Sequence, residues 1–197
     1  MYLYFFAKFI LSILYKIIFR VEFKGKEKIP KNENFIICSN HKSMRDPITL
    51  AILFPKQIRF MAKEELFKIK PLAILFKIAG VFPVDRDGND LLSLKKALSI
   101  LKNNEILGIF PEGTRVKEIK KENFKEGVSF LAIKAKSNII TVNIKGDYKF
   151  LSKINVEIKD NIEINKYLQT KNKKQAREEL TNDIFSSIYK GEVKELK

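Results

Sequence analysis

Apolar and polar positions along this chain follow two periods. Leu91, Leu94, Leu98 and Leu101 recur at the three- and four-residue spacing of a helix with one buried face, and Ala176, Leu180, Ile184 and Ile188 mark a similar face on a final, heavily charged helix. Residues 47–54 are expected to be helical, with Pro47 opening the first turn, and 71–79 and about 125–136 are further helix candidates. Short β-branched or apolar runs bounded by turn residues predict strands over 21–25, 35–38, 58–62, 80–84, 106–110 and 139–144. Ile154, Val156, Ile158, Ile162 and Ile164, separated by polar residues, predict edge strands. Strands alternating with helices predict an α/β fold with a largely parallel central sheet covered by helices. No internal repeat, low-complexity tract or linker divides residues 21–197, which are expected to form one domain.

Residues 1–20 follow a different pattern. The segment is almost wholly apolar, but Lys8, Ser12 and Lys16 recur every four positions, with Tyr4 and Arg20 on the same line. Two lysines near the middle of a bilayer are costly, whereas a helix lying in the interface keeps such a stripe among the headgroups and buries its Phe/Leu/Ile face. The expectation is a monotopic interfacial helix. A cleaved signal peptide is disfavoured, because the basic residues fall within the apolar run and no small-residue cleavage site follows.

Charge narrows the partners. With 38 Lys and Arg against 23 Asp and Glu, the formal net charge of +15 calls for an anionic partner: nucleic acid, an acidic membrane face or a phosphorylated substrate. No nucleic-acid reading module is present, so nucleic acid is not expected as the partner, whereas an apolar anchor beside basic residues fits an anionic membrane surface. One Cys and one His provide neither an internal disulfide nor a zinc-type ligand set, so no metal is expected.

The single histidine lies in the run Ser39, Asn40, His41, Lys42, Ser43, Met44, Arg45, Asp46, Pro47. Proton transfer near neutral pH usually recruits histidine, so such chemistry has one address here. Five residues leave His41 and Asp46 on different sides of a helix, so the segment must bend for them to meet. Asp46, held away from helical geometry by Pro47, is then a natural N-cap that could also orient the imidazole. Ser129 lacks the second glycine of a nucleophile elbow, and Cys38 ends an apolar run, which favours direct activation of a substrate hydroxyl over covalent catalysis. The run 110–115, Phe-Pro-Glu-Gly-Thr-Arg, places a tight turn, a carboxylate and a guanidinium after a strand; the preceding Gly108 superficially echoes a phosphate-binding loop, but the required lysine is missing. Arg115, Arg86 and Lys63 together suggest a phosphorylated substrate. These segments follow the carboxyl ends of predicted strands, where parallel sheets place their sites.

In these residues the chain resembles the 1-acyl-glycerol-3-phosphate acyltransferase family. The likeness rests on Asn40 and His41 followed by Asp46, on Gly80 to Arg86 with its apolar middle, on the intact 110–115 run, on Phe124-Lys125-Glu126-Gly127, and on Lys63. A fourth block at 139–146 departs from the family pattern, with Thr141 where proline is common and Asn143 interrupting the apolar run. The resemblance implies transfer of a fatty acyl group from an acyl-CoA or acyl carrier protein thioester, used as substrate with no further cofactor, to the free sn-2 hydroxyl of lysophosphatidic acid. It implies His41 as general base, Asp46 as its orienting partner, and acceptor binding by Lys63, Arg86, Glu112, Gly113, Thr114 and Arg115. Glu112 would orient Arg115 or the turn, or contact the acceptor. The expected location is the cytoplasmic face of a membrane, held through residues 1–20. Another lysophospholipid, or a different hydroxyl or amine acceptor, remains open, as does a basic membrane-binding module without turnover.

Overall fold

The computed structural model describes residues 2–31, 34–85, 91–116 and 118–192. The chain begins with helix α1 (Tyr2–Ile18) and then lays down strands β1 (Arg20–Lys24), β2 (Phe35–Ser39), β3 (Ile58–Lys63), β4 (Phe82–Val84), β5 (Ile106–Ile109), β6 (Asn138–Lys145) and β7 (Lys153–Ile162). Helix α2 (Asp46–Leu53) follows β2, α3 (Lys70–Ala79) precedes β4, α4 (Leu91–Lys102) precedes β5 and α5 (Gly127–Ala135) precedes β6. The short α6 (Asn165–Leu168) and the long α7 (Lys173–Ile188) end the described chain.

The seven strands form one sheet in the order β1-β7-β6-β2-β5-β3-β4. The strands from β6 to β4 are mutually parallel, so their carboxyl ends open on one edge, while β7 pairs antiparallel with β6 and β1 lies parallel to β7. This is the α/β architecture with a mostly parallel sheet that the alternating pattern predicts. One expectation needs correction: the isoleucines from Ile154 to Ile162 belong to one ten-residue strand rather than several edge strands, and β1 covers its outer side. Ile164 lies beyond it, at the start of α6.

Side chains alternate across the pleat and feed two cores. Ile36, Cys38, Leu107 and Ile139 face α4, α5 and α7, whose Leu101, Leu131, Leu180 and Ile184 complete that layer. Phe35, Ile37, Ile106, Ile140 and Val142 face the other way, toward Leu50 and Phe54 of α2 and Tyr15 and Phe19 at the end of α1. The polar departures in β6 point into the first layer without being orphaned. Thr141 Oγ1 lies 2.6 Å from Ser187 Oγ, and the Asn143 amide donates to Ile188 O at 3.0 Å and Glu192 Oε1 at 2.8 Å. The end of α7 is therefore docked on β6 by hydrogen bonds as well as by its apolar face.

Helix α1 forms as predicted but docks the other way round. Tyr4 and Tyr15 are buried, Ser12 is half-buried, and Lys8 Nζ donates to the Phe54 and Pro55 carbonyls at the end of α2. A helix C-terminus leaves carbonyls without partners, and an ammonium placed there satisfies them and complements the helix dipole. Burial lowers the pKa of Lys8. Most of the polar stripe thus faces the protein, while Phe6, Phe9 and Ile17 on the opposite face are 60–65% exposed, together with Leu3, Ile10, Ile13 and Leu14. No helix among the described residues is long and apolar enough to cross a membrane.

Candidate active site

The site is assembled at the carboxyl ends of the parallel strands. Strand β2 delivers Asn40 and His41, and the Asn40 side chain pairs with the backbone of β6: its amide donates to Ile144 O at 2.9 Å and its Oδ1 accepts from Ile144 N at 2.7 Å. That pairing fixes where the chain leaves the sheet. Residues 42–45 then bend sharply, as the helical-phase argument requires, and Asp46 N donates to Ser43 O at 3.1 Å.

The bend brings Asp46 Oδ2 to 3.0 Å from His41 Nδ1. The same oxygen accepts from the Lys42 and Ser43 backbone N–H groups, each at 2.7 Å, and Oδ1 accepts from the Tyr148 hydroxyl at 2.8 Å. Here the expected N-cap role is corrected. Asp46 begins α2 but its carboxylate turns back to close the preceding turn, while Arg45 occupies the cap position with no side-chain cap bond. The reason lies in the donors available: two N–H groups and an imidazole converge behind the helix.

An ionised carboxylate can only accept, so the neutral form of His41 has its proton at Nδ1, toward Asp46, and its lone pair at Nε2. Among the described residues Nε2 has no hydrogen-bond partner. The His41 side chain keeps 14% of its surface exposed, against 1% for Asp46, so the dyad has a buried end and an open end. The imidazole stacks on Phe110, with ring centroids 4.1 Å apart and planes at 20°, and Phe110 in turn stacks on Phe60 at 5.8 Å. Gly108 makes that stack possible, because a Cβ there would lie 2.2 Å from the Phe60 ring.

The 110–115 run follows β5 and crosses beside the histidine. Gly113 N donates to Phe110 O at 2.9 Å, closing a tight turn in which Gly113 takes a left-handed φ of 68°. Val116 N donates to His41 O at 3.0 Å and ties the two loops together. Thr114 and Arg115 are exposed, whereas Glu112 is buried with Oε1 accepting from Tyr189 OH at 2.6 Å. Burial raises the pKa of Glu112, with the Tyr189 hydrogen bond as the largest opposing influence.

Of the expected site residues, His41, Asp46, Glu112, Gly113, Thr114 and Arg115 are therefore joined at one place. Lys63 lies at the carboxyl end of β3 with Nζ 2.9 Å from Glu65 Oε1. Arg86 lies outside the described residues. Cys38 is buried, and burial followed by the nearby Glu112 charge pushes its thiol pKa well up, which makes it inert as a nucleophile. Ser129 is packed against Thr181, 2.7 Å between hydroxyls. Sequence reading missed Tyr148 and Tyr189, whose bonds to Asp46 and Glu112 span 102 and 77 residues without any local signature. It also left Lys125 out of the site, although its backbone N–H donates to Pro111 O at 3.0 Å and its side chain lies along Gly113.

The Acyltransferase family model matches residues 20–145, which include the histidine loop, the dyad and the turn. The chain belongs to the acyltransferase family. Among related acyltransferases, the 1-acyl-sn-glycerol-3-phosphate acyltransferase of Bacillus subtilis (strain 168) is 41% identical over 99 residues, 50% of each chain. That of Streptococcus pneumoniae R6 is 31% identical over 140 residues, 70% of this chain and 52% of its own length. This chain spans about half the length of these curated relatives. Among solved structures, the 1-acyl-sn-glycerophosphate (LPA) acyltransferase PlsC from Thermotoga maritima superposes with a TM-score of 0.68 at 25% identity, over 96% of this chain and 78% of that one.

Proposed function

We propose that this acyltransferase moves a fatty acyl group from a CoA or acyl carrier protein thioester to the sn-2 hydroxyl of lysophosphatidic acid, forming phosphatidic acid. The observation that carries the reading is the imidazole at the sheet edge, backed at Nδ1 by a buried, fully hydrogen-bonded Asp46, open at Nε2, and tied to the turn bearing Arg115. In the reaction, Nε2 of His41 takes the hydroxyl proton as the acceptor oxygen attacks the thioester carbonyl carbon. Asp46 holds the ring and stabilises the imidazolium. Collapse of the tetrahedral intermediate breaks the carbon–sulfur bond, and the proton passes from His41 to the departing thiolate. Arg115, with Lys63 and Arg86, grips the acceptor phosphate, and the buried Glu112 holds the turn from below.

The exposed face of α1 supports attachment to an anionic membrane from the cytoplasmic side, where a single-chain acceptor and a two-chain product both reside. Its apolar side chains enter the lipid, while Lys16 and Arg20, both exposed, meet the headgroups. The test supplies purified protein with lysophosphatidic acid and several other lysophospholipids, each paired with acyl-CoA and acyl carrier protein donors, and analyses the lipid products. Phosphatidic acid as the dominant product is expected. Efficient acylation of a zwitterionic lysophospholipid in its place would overturn the acceptor assignment.

A further inference from the structure

We propose that Tyr148 is a positioning residue for the His41–Asp46 dyad: its phenol supplies the hydrogen bond that fixes the outer oxygen of Asp46 and thereby the direction in which the imidazole presents Nε2. The proposal rests on His41 acting as the base. Its warrant is a count of protons. The Tyr148 oxygen lies 2.8 Å from Asp46 Oδ1 and 2.9 Å from Thr49 Oγ1. Tyrosine has one hydroxyl proton, and an ionised carboxylate can take no other role than acceptor, so that proton goes to Asp46. Thr49 then directs its own proton toward the Tyr148 oxygen or toward Arg45 O, 3.0 Å away on the preceding turn of the chain. The order of donation is set from the inside outward, ending on the dyad.

The phenol is itself held on several sides. Phe19 packs edge-on against its ring at 5.6 Å, and the Arg45 guanidinium lies 6.0 Å from the ring centroid. The loop that bears Tyr148 is stitched to the end of α1 by Leu151 N to Ile18 O at 2.7 Å and to the start of β1 by Arg20 N to Ser152 O at 2.9 Å. Burial, followed by the Asp46 charge, raises the Tyr148 pKa far above the ordinary phenol value, so the group remains a donor throughout the working range. Without that bond, Oδ1 would be a buried carboxylate oxygen lacking a protein donor, and Asp46 could rotate to share both oxygens among three donors rather than four.

The chain has one histidine, so a sample labelled with nitrogen-15 at histidine reports one imidazole. In Tyr148→Phe, which keeps the packed ring and removes only the hydroxyl, the imidazole nitrogen resonances are expected to shift. The kcat should fall about tenfold, the scale of one charge-assisted hydrogen bond, with acceptor KM within about twofold of wild type. Thr49→Val, which removes the group behind the phenol, should move both readouts in the same direction by less. Unchanged nitrogen resonances in Tyr148→Phe would overturn the proposal, whether kcat is retained or falls together with the thermal midpoint, since the latter is what a purely structural residue gives. The imidazole readout needs no turnover, so a failure of the functional reading, seen as wild-type protein that acylates no lysophospholipid, is distinguishable from a failure of this one.

Discussion

Glu112 belongs to the same turn as Thr114 and Arg115 but points the opposite way, into the protein. Its Oε1 accepts from Tyr189, and among the described residues its buried Oε2 has no hydrogen-bond partner. A carboxyl group whose pKa is raised by burial holds its proton more tightly in the folded chain than in the unfolded one. Below the ordinary carboxyl value both states are protonated and nothing is lost. As pH rises through about 4.5 the unfolded chain releases its proton first, so the folded state loses stability relative to it until the folded group also ionises. The thermal midpoint of wild type minus that of Glu112→Gln should therefore decrease between about pH 4 and pH 7; a difference that grows with pH would contradict this account. The His41–Asp46 pairing was legible at this scale because a lone histidine, a carboxylate and Pro47 fall within seven residues. The tyrosines that position Asp46 and Glu112 were not, because they arrive through the fold from distant sequence.

At the scale of elements, periodicity located α1 and α4 closely and Pro47 marked the start of α2, but a period defines two faces without saying which one docks. In α1 the answer depends on carbonyls at the end of α2, to which Lys8 donates. The face left outward is the basis for a prediction. Replacing Phe6 and Phe9 by Ser together removes two large exposed apolar groups and no core contact, and each such ring is worth roughly 1.5–3 kcal/mol when buried. Partition onto anionic vesicles should weaken at least about tenfold, with the thermal midpoint nearly unchanged. Binding at the wild-type level in a sedimentation assay would remove α1 from the attachment. The same limit explains Thr141 and Asn143: in the sequence one stands where the family commonly has proline and the other interrupts the apolar run, but both make contacts that seat the end of α7.

Over the whole molecule, five parallel strands place the histidine loop, the 110–115 turn and Lys63 on one edge of the sheet. The alternation of elements was enough to predict that shared edge, since parallel connections need crossovers and loops then gather at the carboxyl ends. It was not enough to predict the reversed pair β7 and β1, because an alternating apolar run specifies a strand but neither its direction nor its neighbours. Helix α1 and the site lie on connected parts of this framework: Tyr15 and Phe19 pack in the layer that holds α2, whose first residue is Asp46. The central claim is that one imidazole moves the proton of the acceptor hydroxyl. Its most direct test is the turnover of purified His41→Ala with lysophosphatidic acid and a thioester donor, alongside its vesicle binding and thermal midpoint. The account predicts a loss of about 100- to 10,000-fold in kcat with binding and folding preserved. Turnover within a few fold of wild type would contradict it.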